Sequence, residues 1–195
     1  MIDYVTSSII QIFLFSLIPF VFWYFKSGKK EKFLSWIGLK KFKTNKEVIS
    51  MTILVVLGFT LLDIFALKLV DGVETATSVF VGKGYRAIPS ILVYAIFNTA
   101  LPEEILFRGF CCKRLKDVLG LKKANIIQAA LFGLLHGLMF FKLVGIFKAL
   151  LIIALTGIFA YFMAYINEKK ADGSILPSVF IHSLANIFAG LAAAF

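Results

Sequence analysis

The sequence predicts an all-α, polytopic membrane helix bundle with about six transmembrane helices, and three observations lead there. Of its 195 residues, 60% are apolar, against about 45–50% in an ordinary globular domain, and the mean hydropathy is +0.91. Several apolar runs reach the ~20 residues that cross ~30 Å of hydrocarbon. The formal net charge of +10 is concentrated in alternate connections between those runs. Neither a repeat, a low-complexity tract nor a linker marks a second domain, so residues 1–195 read as one integral-membrane domain.

The runs lie near 8–25, 48–70, 87–110, 124–141, 143–166 and 178–195 and are read as helices by length and apolar content. Only Asp3 precedes the first, with no basic region before it and no small-residue cleavage site after it, so this run is expected to stay in place. The next connection carries Lys26, Lys29, Lys30, Lys32, Lys40, Lys41, Lys43 and Lys46, the strongest inside signal in the chain. Within it Phe33, Trp36 and Ile37 alternate with lysines, a pattern suited to a short helix on an anionic leaflet. The alternation then places Lys113, Arg114, Lys116, Lys122 and Lys123, and later Lys169 and Lys170, on the same side. Fifteen of the 21 basic residues thus share one face, expected to be cytosolic, with both termini outside. The opposite connection, 71–86, balances Asp71 and Glu74 against Lys83 and Arg86. Such segregation is membrane topology and excludes a nucleic-acid footprint. The adjacent Cys111 and Cys112 form no disulfide framework or metal-type spacing and read as small apolar filler.

Against this background LPEEILFRGF, residues 101–110, is anomalous. Each ionised group at bilayer depth costs roughly 2.5–3.5 kcal/mol, so Glu103, Glu104 and Arg108 unpaired would cost roughly 8–10 kcal/mol. Glu104 and Arg108 stand at i, i+4, acid first, the favourable order for a helical ion pair. Glu103 is rotated about 100° from Glu104 and must find its partner on another helix. Pro102 removes a backbone donor and is expected to kink the helix beside that carboxylate. The chain has two histidines, both in apolar runs: His136 in ALFGLLHGL and His182 in FIHSLANIF. Glu103 lies ~10 Å from the cytosolic end of its run and His182 ~6 Å from that of its own. If Asn125 and Gln128 mark the membrane interface, His136 lies ~12 Å beyond Gln128. The three would meet in one layer in the cytosolic half of the bilayer. Asn186, four residues after His182, shares its face and can donate. Gly133 and Gly137 beside His136 suit helix packing. A structural polar core or a proton relay would use the same residue types.

The order of these motifs resembles a known family. EEILFR fits EExxxR, FGLLH (132–136) fits FxxxH and HSLAN (182–186) fits HxxxN, the succession of the CPBP family: type II CAAX prenyl endopeptidases together with bacterial CAAX-protease-like and bacteriocin-processing (Abi) proteins. The resemblance spans roughly 88–195, with 1–87 similar to the family's variable leading helices. It implies a metal-independent, cofactor-free intramembrane glutamate endopeptidase of the bacterial plasma membrane, acting on a membrane-associated peptide or protein. Glu103 would be the general base, His136 would help polarise the water, and His182 would steady the oxyanion. Asn186 would support His182 or donate to substrate, while Glu104 and Arg108 would brace the helix. The prenyl-endopeptidase branch has an Asn four residues beyond the second-motif histidine; Phe140 stands there, which turns the resemblance toward the bacterial branch.

Two other readings use the same side chains. Glu103, His136 and His182 could supply three zinc ligands and an open fourth position, although no HExxH is present. A non-catalytic membrane protein for bacteriocin self-immunity or regulatory partner binding would use them to hold helices together. The catalytic reading expects Glu103, His136 and His182 to converge within about 3–7 Å on a cavity reachable from the cytosolic half.

Overall fold

A segment without water around it must satisfy its own backbone N–H and C=O groups, and every regular element among the described residues is helical. The computed structural model of the chain describes residues 2–26, 30–69 and 72–195, and the side chains of all of these except 62–69. Lys29 and Asp71, two charges in the sequence-based topology, lie outside the described residues. Helix α1 is Ile2–Lys26, α2 is Phe33–Trp36 and α3 is Lys46–Leu69. Two 3-10 turns, Ser78–Phe80 and Gly84–Ala87, lead into α4 (Ile88–Val93), and α5 is Leu101–Glu104. Wide π-helical turns, Tyr94–Ala100 and Ile105–Cys112, precede and follow α5. Helix α6 is Lys113–Lys170 and α7 is Leu176–Ala194.

Helix α6 is not one rod. Gly120 (φ 74°) and Gly145 (φ 79°) leave the helical region, and only glycine takes such φ values without a Cβ penalty. The segments 121–144 and 146–170 run antiparallel: Cβ atoms built on Gly133 and Gly157 would meet the backbone of Ile153 and Ala129 respectively. Asn125 Nδ2 donates to the Tyr161 carbonyl (3.0 Å) and Gln128 Nε2 to that of Ala160 (3.1 Å). Both are buried and act as polar links between helices, as side-chain amides do in membrane bundles.

The strand of helix from α4 to the second π turn lies centrally, packed on α1, α6 and α7, while α3 covers α6 and α7. Ile2–Lys26, the composite Gly84–Lys170 and Leu176–Ala194 are long and apolar enough to cross a membrane. Helix α1 leaves Ile9, Phe13 and Ile18 uncovered, as lipid-facing helices do. This is an integral-membrane protein.

The lysine-bearing connections pack onto the bundle. Helix α2 forms where Phe33, Trp36 and Ile37 suggested one, but Trp36 and Ile37 are buried against Ile105 and Ile175 instead of lying on a leaflet. The Arg114 guanidinium stacks 4.1 Å above the Trp36 ring. Gly109 permits this approach, since a Cβ there would stand 2.6 Å from the Ile37 carbonyl oxygen. The Lys113 ammonium donates to Glu168 Oε1 and the Gly173 carbonyl, both at 2.6 Å, and Lys170 pairs with Glu47. The connection expected at 111–123 is helical apart from Gly120.

Gly133→Val drives a side chain into the Ile153 carbonyl, which belongs to a helix and cannot rotate away. The expected cost is about 1–3 kcal/mol, read as a lower melting temperature in detergent, whereas substitution of Gly58, which has open space around it, leaves the melting temperature unchanged.

Candidate active site

The sequence of the central helix explains its local geometry. Pro102 has no N–H to donate, and the π-helical turns on both sides of α5 widen the helix there; π turns are rare and recur at functional sites. The helix presents Glu103 and Glu104 in different directions. Glu104 is fully buried, while Glu103 keeps 22% of its side chain exposed, on the cavity.

Both carboxylates address one imidazole. His182, carried on α7, places Nδ1 3.0 Å from Glu104 Oε1 and Nε2 3.9 Å from Glu103 Oε2. Because a carboxylate only accepts, Nδ1–H is the donor to Glu104, and Nε2 is the nitrogen left for chemistry in the cavity. Arg108 Nη1 pairs with the same Glu104 Oε1 at 2.9 Å. That guanidinium also lies 4.2 Å from the Phe132 ring centroid, a cation–π contact worth about 2 kcal/mol when desolvated. The ion pair with Glu104 compensates the buried charge, and the ring face adds to it.

Phe132 serves His136 as well. The His136 Nδ1–H donates to the Phe132 carbonyl at 2.9 Å, one helical turn back, and the two rings lie 4.3 Å apart. With Nδ1 occupied, Nε2 of His136 is the acceptor that remains. His136, Glu103, His182 and Asn186 line one cavity of about 550 Å³, a size typical of ligand sites. A smaller cavity of about 240 Å³ adjoins it and shares His136, Phe140, His182 and Asn186.

Two placements differ from the sequence reading. Glu104 does more than brace its own helix with Arg108, because it also orients His182. Asn186 does not hydrogen-bond His182: its Nδ2 donates to Thr99 Oγ1 at 2.7 Å, and Thr99 donates in turn to the Ala95 carbonyl at 3.0 Å. Thr99 went unnoticed in the sequence, although it precedes Glu103 by four residues in an apolar run. Phe140, where the prenyl-endopeptidase branch carries Asn, lines both cavities.

The cavity has a definite course along the bundle. On each helix its walls run from the Glu103–His182 layer away from the lysine-bearing end. They pass through Thr99 and Tyr94 and through His136 and Phe140, and finish at Thr75, Ala76 and Thr77. On the lysine-bearing side of that layer Glu104, Arg108, Gln128, Asn167 and Ser178 are all buried. A separate cavity of about 400 Å³, lined by Phe42, Thr44, Val48, Leu176, Pro177 and Phe180, lies at the end that carries the basic connections.

The family model described as type II CAAX prenyl endopeptidase Rce1-like matches residues 85–188, over half of the chain, including all three motifs. The chain belongs to that family. No curated protein and no solved structure matches it. As a member of the Rce1-like endopeptidase family it is an intramembrane protease-type enzyme. Among the described residues no three His, Cys, Asp or Glu side chains form a group that would hold a metal ion, so the zinc reading lacks a ligand set there. Family and site chemistry together fit a metal-independent, glutamate-type protease.

Arg108→Ala leaves Glu104 buried with one cationic partner removed. The expected loss is about 3–5 kcal/mol, measured as a reduced yield of folded protein and a lowered melting temperature, with Glu103→Gln as the control that leaves both near wild type.

Proposed function

We propose that Glu103 is the general base of this endopeptidase and that His136, His182 and Asn186 complete the catalytic group. The observation that carries the reading is the single imidazole of His182 set between two carboxylates of different environment, one buried and one facing the cavity. Glu103 takes a proton from a water whose other hydrogen is held by His136 Nε2. The resulting hydroxide oxygen attacks the scissile carbonyl carbon. His182, with Nδ1–H committed to Glu104, meets the oxyanion through a protonated Nε2, and the free N–H of Asn186 donates beside it. Glu103 returns its proton to the leaving amide nitrogen as the C–N bond breaks. The 3.9 Å between Glu103 Oε2 and His182 Nε2 exceeds a hydrogen bond, and one oxygen can touch both atoms at once. Donors aimed at a developing oxyanion are worth most in such a water-poor site.

The substrate in this reading is a membrane-associated peptide or protein. The chain crosses the bilayer six times, counting α1, α3, the central helix, 121–144, 146–170 and α7. Gly120 and Gly145 divide the longest stretch into lengths that suit ~30 Å of hydrocarbon. Both termini then face outward and the basic connections face the cytosol, by the segregation of lysines. Residues 1–195 act as one domain, with the catalytic core in 88–195.

Glu103→Gln keeps the shape and removes the base. Cleavage of membrane-anchored peptides by purified protein in proteoliposomes is expected to fall by roughly 10²–10⁴-fold at unchanged folded yield, and to survive chelator in the wild type. Retained cleavage in the variant, or loss on chelation, defeats the mechanism. Thr99→Val frees the Asn186 amide to rotate. Up to about 10²-fold of kcat, the low end for an oxyanion donor, is expected to go with KM little changed, and Thr99→Ser is expected to restore it.

A further inference from the structure

We infer that the groove between the first turns of α3 and α7 holds one anionic phospholipid, with an acyl chain in the groove and the phosphate among the lysines at its mouth. This cavity is separate from the catalytic group, and the inference does not rest on the proposed mechanism. The groove encloses about 400 Å³ between Phe42, Val48, Ile49, Ile53, Pro177 and Phe180, within the range of ligand sites. None of these residues lines the cavities beside Glu103, His136 and His182. The back wall is firm: Val48 and Pro177 are buried, and Phe42 packs on the cluster of Val48, Met163 and Ile181. The front is open, with Ile49, Ile53 and Phe180 exposed. Exposed apolar surface of this kind marks membrane contact, and α7 is long and apolar enough to cross a bilayer.

The mouth supplies the choice of headgroup. Lys46 opens α3, and Lys46, Ile49 and Ile53 stand at i, i+3 and i+7, on one helical face. Lys46 therefore heads the apolar face that lines the groove, about 10 Å of helix from Ile53, at the positive end of the backbone dipole of α3. Lys41 and Lys43 flank Phe42 in the chain, and all three lysines are exposed. Segments 40–47 and 171–177, which form the mouth, contain Lys40, Lys41, Lys43 and Lys46 against Glu47 and Asp172, and Glu47 is taken by Lys170. The charge left over is positive, and lysines at a membrane surface favour anionic headgroups. Thr44 and Thr52 place hydroxyls along the wall, donors suited to the glycerol ester carbonyls between phosphate and chain. A second copy of the chain docking through the same face would oppose lysine with lysine.

Native mass spectrometry of the purified full chain in detergent tests this, with dioleoyl phosphatidylglycerol, dioleoyl phosphatidylcholine and inorganic phosphate titrated separately. The expected result is one phosphatidylglycerol per chain, held at least about 10-fold more tightly than phosphatidylcholine, and no bound phosphate. Joint Lys43→Ala and Lys46→Ala substitution is expected to weaken phosphatidylglycerol by about 5-fold per lysine. Joint Lys122→Ala and Lys123→Ala substitution removes the same charge from exposed positions elsewhere on the basic side and is expected to leave the affinity unchanged. Thr52→Trp fills the groove and is expected to abolish binding. Equal weakening by the two lysine pairs means diffuse surface attraction and overturns the site. Equal affinity for the two lipids overturns the headgroup choice, and phosphate binding as tight as phosphatidylglycerol binding overturns the acyl chain's part. A lipid-free dimer that Thr52→Trp dissociates assigns the groove to a second copy instead. Melting temperatures check the fold of each variant; should Thr52→Trp not fold, wild-type affinity in the Lys43 and Lys46 variant overturns the site by itself.

Discussion

The buried contact among Glu104, Arg108 and His182 is the constraint on which the rest of this protein depends. A fully buried carboxylate needs opposite charge and donors around it, and Glu104 draws one partner from its own helix, four residues on, and the other from α7. One interaction therefore offsets the cost of two charges in an apolar bundle, ties the central helix to α7 and sets which nitrogen of His182 faces the cavity. Phe132 extends the tie to a third helix, because its ring takes the Arg108 charge on one face and its carbonyl orients His136. Stability and reactivity share side chains here. The residue that holds the imidazole is not the residue proposed to move the proton.

Polar groups in the bundle divide at this layer. Those on the lysine-bearing side are spent on one another or on backbone carbonyls: Asn125, Gln128, Asn167 and Ser178 are buried and bonded across helices. Those on the other side, Thr99, Glu103, His136 and Asn186, surround open space. A bilayer supplies no hydrophobic force between helices, so close packing and interhelical hydrogen bonds must hold them, and the lysine-bearing half provides both. Gly133 and Gly157 let two helices touch backbone to backbone.

Helical membrane architecture, the apolar runs and the three motifs were legible in the sequence because each is local or compositional. A run of about 20 apolar residues has one stable conformation in hydrocarbon, and Glu104 with Arg108 is an i, i+4 pair wherever the helix goes. That Glu103 would need a partner from another helix followed from a rotation of about 100° per residue; on α7, His182 Nε2 stands 3.9 Å from it. The partner of Glu104 on α7 was not legible, nor was Thr99 as the acceptor for Asn186, since both depend on how two helices are rotated about their axes when they pack. Burial of Trp36 and Ile37 escaped for the same reason: alternating lysines and apolar residues suit a leaflet and a protein groove equally, and the groove exists only because Gly109 lacks a Cβ.

By itself, then, the sequence determined that this chain is a helical membrane protein with a charged, histidine-bearing site of the glutamate-endopeptidase pattern. Tertiary structure decided where between the helices the cavity lies. Composition along one helix records depth and periodicity, but whether space remains between helices depends on the simultaneous fit of several surfaces. Here Asn125, Gln128 and α2 pack toward one end, Phe80, Ala87 and Ile91 pack toward the other, and the cavity stays open between them at Glu103, His136 and His182.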